Sequence, residues 1–183
     1  MNHTEIRPLS TAADALQPVS LPISAPVVAS VGETAMPPLP VIDPTGESLM
    51  PILVADDDKD DVFFIQRLIK KTGVPNPIKT FDDGSEVVNY LGARLACATA
   101  SKRMPALLFL DLRMRGLGGF GFLEWARQQQ MLRSLTVVVL SNSNESADVQ
   151  RALELGAHRY LVKYPCVKTV TSIVRSVYPF TLA

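Results

Sequence analysis

Five short apolar runs punctuate the chain between residues 51 and 183, and each is followed by a stretch of helical character. The runs cover 51–55, 77–81, 106–110, 135–140 and 159–162; the helical stretches cover roughly 59–72, 84–94, 119–131, 145–155 and 166–178. Strands that alternate with helices predict a parallel sheet covered on both faces. The continuous apolar character of the runs fits strands buried on both sides. Gly73 and Gly156 follow two of the helices and read as stops. Asp58 is placed to cap the first helix and Asn144 the fourth. Residues 95–105 read as a longer irregular connection, and no internal repeat is visible.

The front of the chain differs in kind. Residues 1–50 hold eight of the fourteen prolines and a single basic residue, Arg7, with no clear helix or strand period. Such a stretch cannot bury enough surface to offset its ordering entropy, so 1–50 is expected to be a disordered Pro/Ala-rich tail and 51–183 the folded domain. Pro22 and Pro26 interrupt the one segment that could serve as a secretory signal. No run approaches the roughly 20 apolar residues needed to cross a bilayer, so no membrane association is expected. Five acids against Arg7 leave the tail at −4 and the remainder at +4. That charge is too small and too dispersed to predict nucleic-acid binding. Cys97 and Cys166 stand alone without metal-ligand neighbours, which fits reduced thiols in a cytoplasmic protein. His3 and His158 are too isolated to suggest a metal or catalytic site.

Right-handed crossovers bring the carboxyl ends of parallel strands to one edge of the sheet, where open α/β sheets bind ligands. That edge would collect Asp56, Asp57, Asp111, Ser141 and Lys163, each of which follows an apolar run. Three acids gathered in one place repel unless a hard cation joins them, and carboxylate and carbonyl oxygens suit magnesium. In outline this is a phosphoryl-transfer site.

The motifs Val54-Ala55-Asp56-Asp57-Asp58, Phe109-Leu110-Asp111-Leu112-Arg113-Met114, Val139-Leu140-Ser141 and Tyr160-Leu161-Val162-Lys163 occur in that order, with Asp111, Ser141 and Lys163 spaced 30 and 22 residues apart. Their content and spacing resemble the receiver domain of bacterial two-component response regulators, of the single-domain chemotaxis type. The stretch Asp56–Arg67, with Phe81-Asp82-Asp83-Gly84 and Asn89-Tyr90-Leu91, resembles the regulators associated with phytochrome-type histidine kinases. The resemblance implies a flavodoxin-like, doubly wound five-stranded sheet in the order 2-1-3-4-5. It implies a phosphoprotein that takes a phosphoryl group from a sensor histidine kinase, with Mg2+ as cofactor. Beyond slow, Mg-dependent self-phosphorylation and self-dephosphorylation, it implies no enzyme activity.

Under that resemblance Asp111 is the phosphoacceptor. Asp57 ligates the metal directly, Asp56 acts through a metal-bound water, and the backbone carbonyl of Arg113 is the remaining protein ligand. The metal neutralises charge on the transferring group and on Asp111. Lys163 pairs with Asp111 before reaction and with a phosphoryl oxygen afterwards, and Ser141 gives its hydroxyl to another. Tyr160 reads equally as a switch aromatic that follows Ser141 inward and as an ordinary strand residue. The Arg113 side chain is placed to modulate the lifetime of the acyl phosphate. Asp58 fits an N-cap better than a third metal acid, and Asp60 and Asp61 fit the first turn of a helix.

The chain departs from the family in two places. Arg115 and Gly118 stand where a proline and an acid are usual, and the loop Arg113–Phe122 carries four glycines. Tyr164 separates Lys163 from Pro165, so either the Tyr164–Pro165 bond is the cis one or the loop differs. The competing function is a receiver-like protein-binding module that no longer cycles phosphate, with Arg113 or Arg115 replacing the metal's charge. A haloacid-dehalogenase-type phosphatase would need an acid where Arg113 stands, and a flavin carrier lacks a phosphate-cradling loop after the first strand. With no further domain after the fifth helix, output is expected through a partner. A homodimer through the face of the fourth helix, fifth strand and fifth helix is also expected, because Val167, Val170, Ile173, Val174 and Val177 exceed what one helix stripe must bury.

Overall fold

In the computed structural model, residues 49–96 and 104–179 are described. The expected tail therefore lies outside the described residues except for Leu49 and Met50, as do Cys97 and most of the connection 95–105. The strands are β1 (Ile52–Ala55), β2 (Ile78–Phe81), β3 (Leu107–Asp111), β4 (Thr136–Ser141) and β5 (Arg159–Val162). The helices are α1 (Lys59–Lys71), α2 (Gly84–Ala96), α3 (Gly118–Arg127), α4 (Ser146–Glu154) and α5 (Val167–Val177). All four strand pairings are parallel, and the order is β2-β1-β3-β4-β5, as the resemblance implies.

Successive residues of a strand point to opposite faces, and the core divides accordingly. Leu53, Ala55, Leu108, Leu110, Val137 and Val139 meet Val87 and Leu91 of α2, Phe122 and Leu123 of α3 and Ala152 of α4 on one face. Ile52, Val54, Leu107, Phe109, Val138 and Leu140 meet Val62, Ile65 and Ile69 of α1 and Val170, Ile173 and Val174 of α5 on the other. Burial on both sides holds for β1, β3 and β4 but not for the edge strands. Lys79 and Thr80 of β2, and Arg159 and Val162 of β5, are exposed. An edge strand has a sheet neighbour on one side only, and polar or charged side chains there discourage pairing with another chain.

Local chemistry sets some of the element ends. Asp58 caps α1, accepting hydrogen bonds from the N–H groups of Asp60 at 2.8 Å and Asp61 at 3.4 Å. Gly73 and Gly156 lie just past α1 and α4 with φ of 78° and 103°. Asn144 does not cap α4. Glu145 holds that position with no side-chain cap bond, and the nearby turn is closed instead by Ser143 Oγ, which accepts from Glu145 N–H at 3.3 Å. The expected third helix also shortens. Gln128 N–H and Gln129 N–H turn to the carbonyls three residues back, at 3.1 and 2.9 Å. The chain then continues as a 3-10 turn over Gln130–Ser134.

Candidate functional site

Asp111 and Ser141 are the last residues of β3 and β4 and not, as expected, the first residues beyond them. Ladder bonding therefore fixes both: Asp111 is in register with Leu140, and Ser141 with Val162. Asp56 continues β1 by one bond, its N–H donating to Phe81 O at 3.0 Å, and its Oδ1 accepts from Asp58 N–H at 3.1 Å. The parallel sheet thus delivers Asp56, Asp57 and Asp111 to one edge, where a carboxylate oxygen of each lies within 4.8 Å of the other two. Asp56 and Asp111 are buried, while Asp57 is partly open to solvent. Oxygen donors crowded in this way, partly desolvated and of one sign, form a donor set suited to a hard divalent cation.

Lys163 answers that charge from the inside. Its ammonium, only 5% exposed, lies 2.7 Å from Asp56 Oδ2, 2.7 Å from Asp61 Oδ2 and 3.2 Å from Asp111 Oδ1. Burial by itself would lower the Lys163 pKa, but the hydrogen bonds to Asp56 and Asp61 and the charges of Asp111 and Asp56 outweigh it and raise it. Asp56 is raised in turn because burial outweighs the bonds from Lys163 and from Asp58 N–H. Three carboxylates meet the one ammonium and Asp57 lies beside two of them, so acids outnumber the buried cation. That excess is the reason the site fits a divalent ion.

Ser141 is fully buried, and its Oγ accepts from Ser143 N–H at 3.2 Å. The partly buried Tyr160 donates its hydroxyl to Ser143 O at 2.8 Å, so both hydroxyl-bearing residues bind the turn after β4. Arg113 N–H donates to Asp111 Oδ2 at 3.0 Å. Its exposed guanidinium lies 3.7 Å from Asp148 Oδ2 of α4. The cis peptide bond lies between Lys163 and Tyr164, not at Tyr164–Pro165.

The sequence reading missed two partners. Asp61 is more than a dipole-facing acid: it is a third anchor for Lys163 from 102 residues away, and it raises the phenol of exposed Tyr164 by hydrogen bonding. The second is Arg115, whose Nε lies 3.2 Å from Asp57 Oδ2 while its N–H donates to the same oxygen at 3.4 Å. Neither was legible as an interval, because each contact is made between elements and not along one. The glycine-rich loop also proves shorter than expected, since α3 begins at Gly118. Its turn docks on Asp83, whose Oδ1 accepts from Ser85 N–H at 2.7 Å and Leu117 N–H at 3.3 Å. Gly116, at φ 69°, packs against that carboxylate where a Cβ would collide.

Comparison with known proteins agrees with this geometry. The response regulator receiver domain family model matches residues 52–175. The two-component response regulator ARR8 of Arabidopsis thaliana is 30% identical over 127 residues, covering 64% of this chain and 56% of ARR8. The chain spans about half the length of the first plant relatives it matches. Response regulator Rcp1 of Synechocystis sp. is 27% identical over 131 residues, 72% of this chain and 88% of Rcp1. Its Mn(2+)-bound crystal structure aligns with a TM-score of 0.57 at 25% identity, covering 73% of this chain and 99% of that one. The phosphorylated cyanobacterial phytochrome response regulator RcpA aligns with a TM-score of 0.58 at 28% identity, covering 73% and 94%. Among the described residues no helix is long and apolar enough to cross a membrane.

Proposed function

We propose that this chain, which belongs to the response regulator receiver family, is a phosphoacceptor switch in which a histidine kinase loads Asp111. The observation that carries the proposal is the seating of Asp111 between a buried ammonium, Lys163 at 3.2 Å, and two further carboxylates whose oxygens lie within 4.8 Å. A solitary strand-end acid would need no such company.

Asp56, Asp57 and Asp111 would hold Mg2+, with the Arg113 carbonyl as a further ligand. When bound, the ion would neutralise negative charge between the donor's phosphoryl group and the attacking carboxylate. The protein's own groups do the rest. An Asp111 carboxylate oxygen attacks phosphorus, an acyl phosphate bond forms, and the bond from phosphorus to the donor nitrogen breaks, leaving with its electron pair. Lys163, already charged and within reach of Asp111, then has a phosphoryl oxygen to bind. Ser141 would turn its hydroxyl from the Ser143 N–H toward the phosphoryl group. Because Tyr160 bonds the same turn, its position would follow, biasing an existing two-state equilibrium.

Similarity to the phytochrome response regulator RcpA supports a kinase of the phytochrome type as donor. Self-association through the face of α4, β5 and α5 would rest on exposed Leu153, Val162 and Val167. Val170, Ile173 and Val174 are committed to the core against α1. The alternative, a binding module without phosphate cycling, would draw on Arg115 in place of the metal. It is not favoured, since Arg115 is 84% exposed and reaches Asp57 at one oxygen, Oδ2.

The test is labelling with acetyl phosphate and Mg2+. We expect one phosphoryl group per chain, no label on Asp111→Asn, and severely weakened metal binding by Asp57→Ala. Undiminished labelling of Asp111→Asn would overturn the assignment.

A further inference from the structure

The three clustered carboxylates are divided between two cations of different kinds. Lys163 holds Asp56 and Asp111 from the buried side with a side chain 5% exposed. Arg115 holds Asp57 from the solvent side with a side chain 84% exposed. Both bonds from Arg115, Nε at 3.2 Å and N–H at 3.4 Å, fall on the same oxygen, Oδ2. The backbone that presents Arg115 is fixed on its far side. Leu117 N–H is bound to Asp83 at 3.3 Å, Gly119 N–H to Leu112 O at 3.1 Å, and Gly116 is pressed on the Asp83 carboxylate. The side chain has no such restraint, so the guanidinium can leave while its main chain stays.

We infer that Arg115 is a resident counter-ion of the metal site. It neutralises Asp57 in the metal-free protein, and a divalent cation must displace it to bind. This rests on the phosphoacceptor reading and adds a residue that sets how readily the site is charged. Two effects act in the same direction. The guanidinium competes for Asp57 Oδ2, and once displaced it stays tethered near a like-charged ion that it repels. An exposed pair is weak, so the competition is worth a factor of about two to five in metal affinity. Being exposed, it is also sensitive to salt, which a buried pair would not be. In the metal-free protein Arg115 thus offsets part of the charge that Asp57 adds beside Asp56 and Asp111, and the metal site is correspondingly looser.

The experiment titrates Mn2+ into the chelator-stripped full chain and counts free Mn2+ by electron paramagnetic resonance, for wild type and Arg115→Gln, at about 0.01 M and about 1 M salt. At low salt Arg115→Gln is expected to bind Mn2+ about two- to five-fold more tightly than wild type. At high salt the two should converge. Equal or weaker binding by Arg115→Gln at low salt overturns the inference, and so does a gain that persists undiminished at high salt. If neither protein binds Mn2+, the phosphoacceptor reading fails and takes the inference with it. If both bind equally, only the inference fails.

Discussion

Lys163 is a buried cation on which several acids depend. Its ammonium is almost wholly removed from water, and three carboxylates share it at 2.7, 2.7 and 3.2 Å. Removing the cation would strand Asp56, Asp61 and Asp111 as buried like charges, whereas removing one acid leaves Lys163 with two. Breaking a buried pair from one side costs about 3–5 kcal/mol. Lys163→Met is therefore expected to lose about that much stability in chelator and to recover part of it in Mg2+. Asp61→Asn keeps an acceptor oxygen and relieves crowding, so its loss should stay within about 1 kcal/mol. Urea unfolding of both variants with and without Mg2+ checks this; equal losses in chelator would mean that Lys163 is not the keystone charge. That the Lys163 ammonium needs a partner was legible from its place after an apolar run. Its bond to Asp61 was not, because that acid lies on α1, 102 residues away.

At the scale of elements, the strands were easier to read than the loops between them. Buried strands declare themselves by unbroken apolar runs, and helix stops by Gly73 and Gly156. The loop between β3 and α3, residues 112–117, carries no periodic pattern, and its shape depends on Asp83 in a different turn. That dependence predicts opposite outcomes for two glycines. Gly116 has φ 69° and no room for a Cβ beside Asp83. Gly116→Ala should therefore cost about 1 kcal/mol or more. Gly92 lies inside α2, where a Cβ would meet only the Trp125 ring at an ordinary 3.9 Å. Gly92→Ala should stabilise by about 0.5–1 kcal/mol, because glycine is a poor helix former. Shifts of the denaturation midpoint in the same direction for both variants would refute this account of the loop.

For the whole molecule, the site requires the sheet. No two of Asp56, Asp111 and Ser141 share an element, and only parallel strands in the order β2-β1-β3-β4-β5 bring their carboxyl ends together. The prolines and missing periodicity of the front segment lead us to propose that it contributes little to this assembly. Met50 differs, since its carbonyl accepts from Asn76 Nδ2 at 2.9 Å and Arg94 Nη1 lies 3.6 Å from its sulfur. A chain lacking residues 1–48 should therefore melt cooperatively within a few degrees of the full chain. Loss of cooperative melting would show that those residues pack on the domain.

The alternation of strands and helices, the cap at Asp58 and the residues near the strand ends are readable along the chain. All of these follow from nearest neighbours and from periods of two and 3.6 residues. Which charges meet is set by the folded arrangement. The Lys163–Asp61 and Arg115–Asp57 pairs join residues 102 and 58 positions apart. A charged residue in a loop carries no periodic signal of its partner. Its contacts are fixed by how packed helices and a twisted sheet orient the turns between them, so they become visible only once the chain has folded.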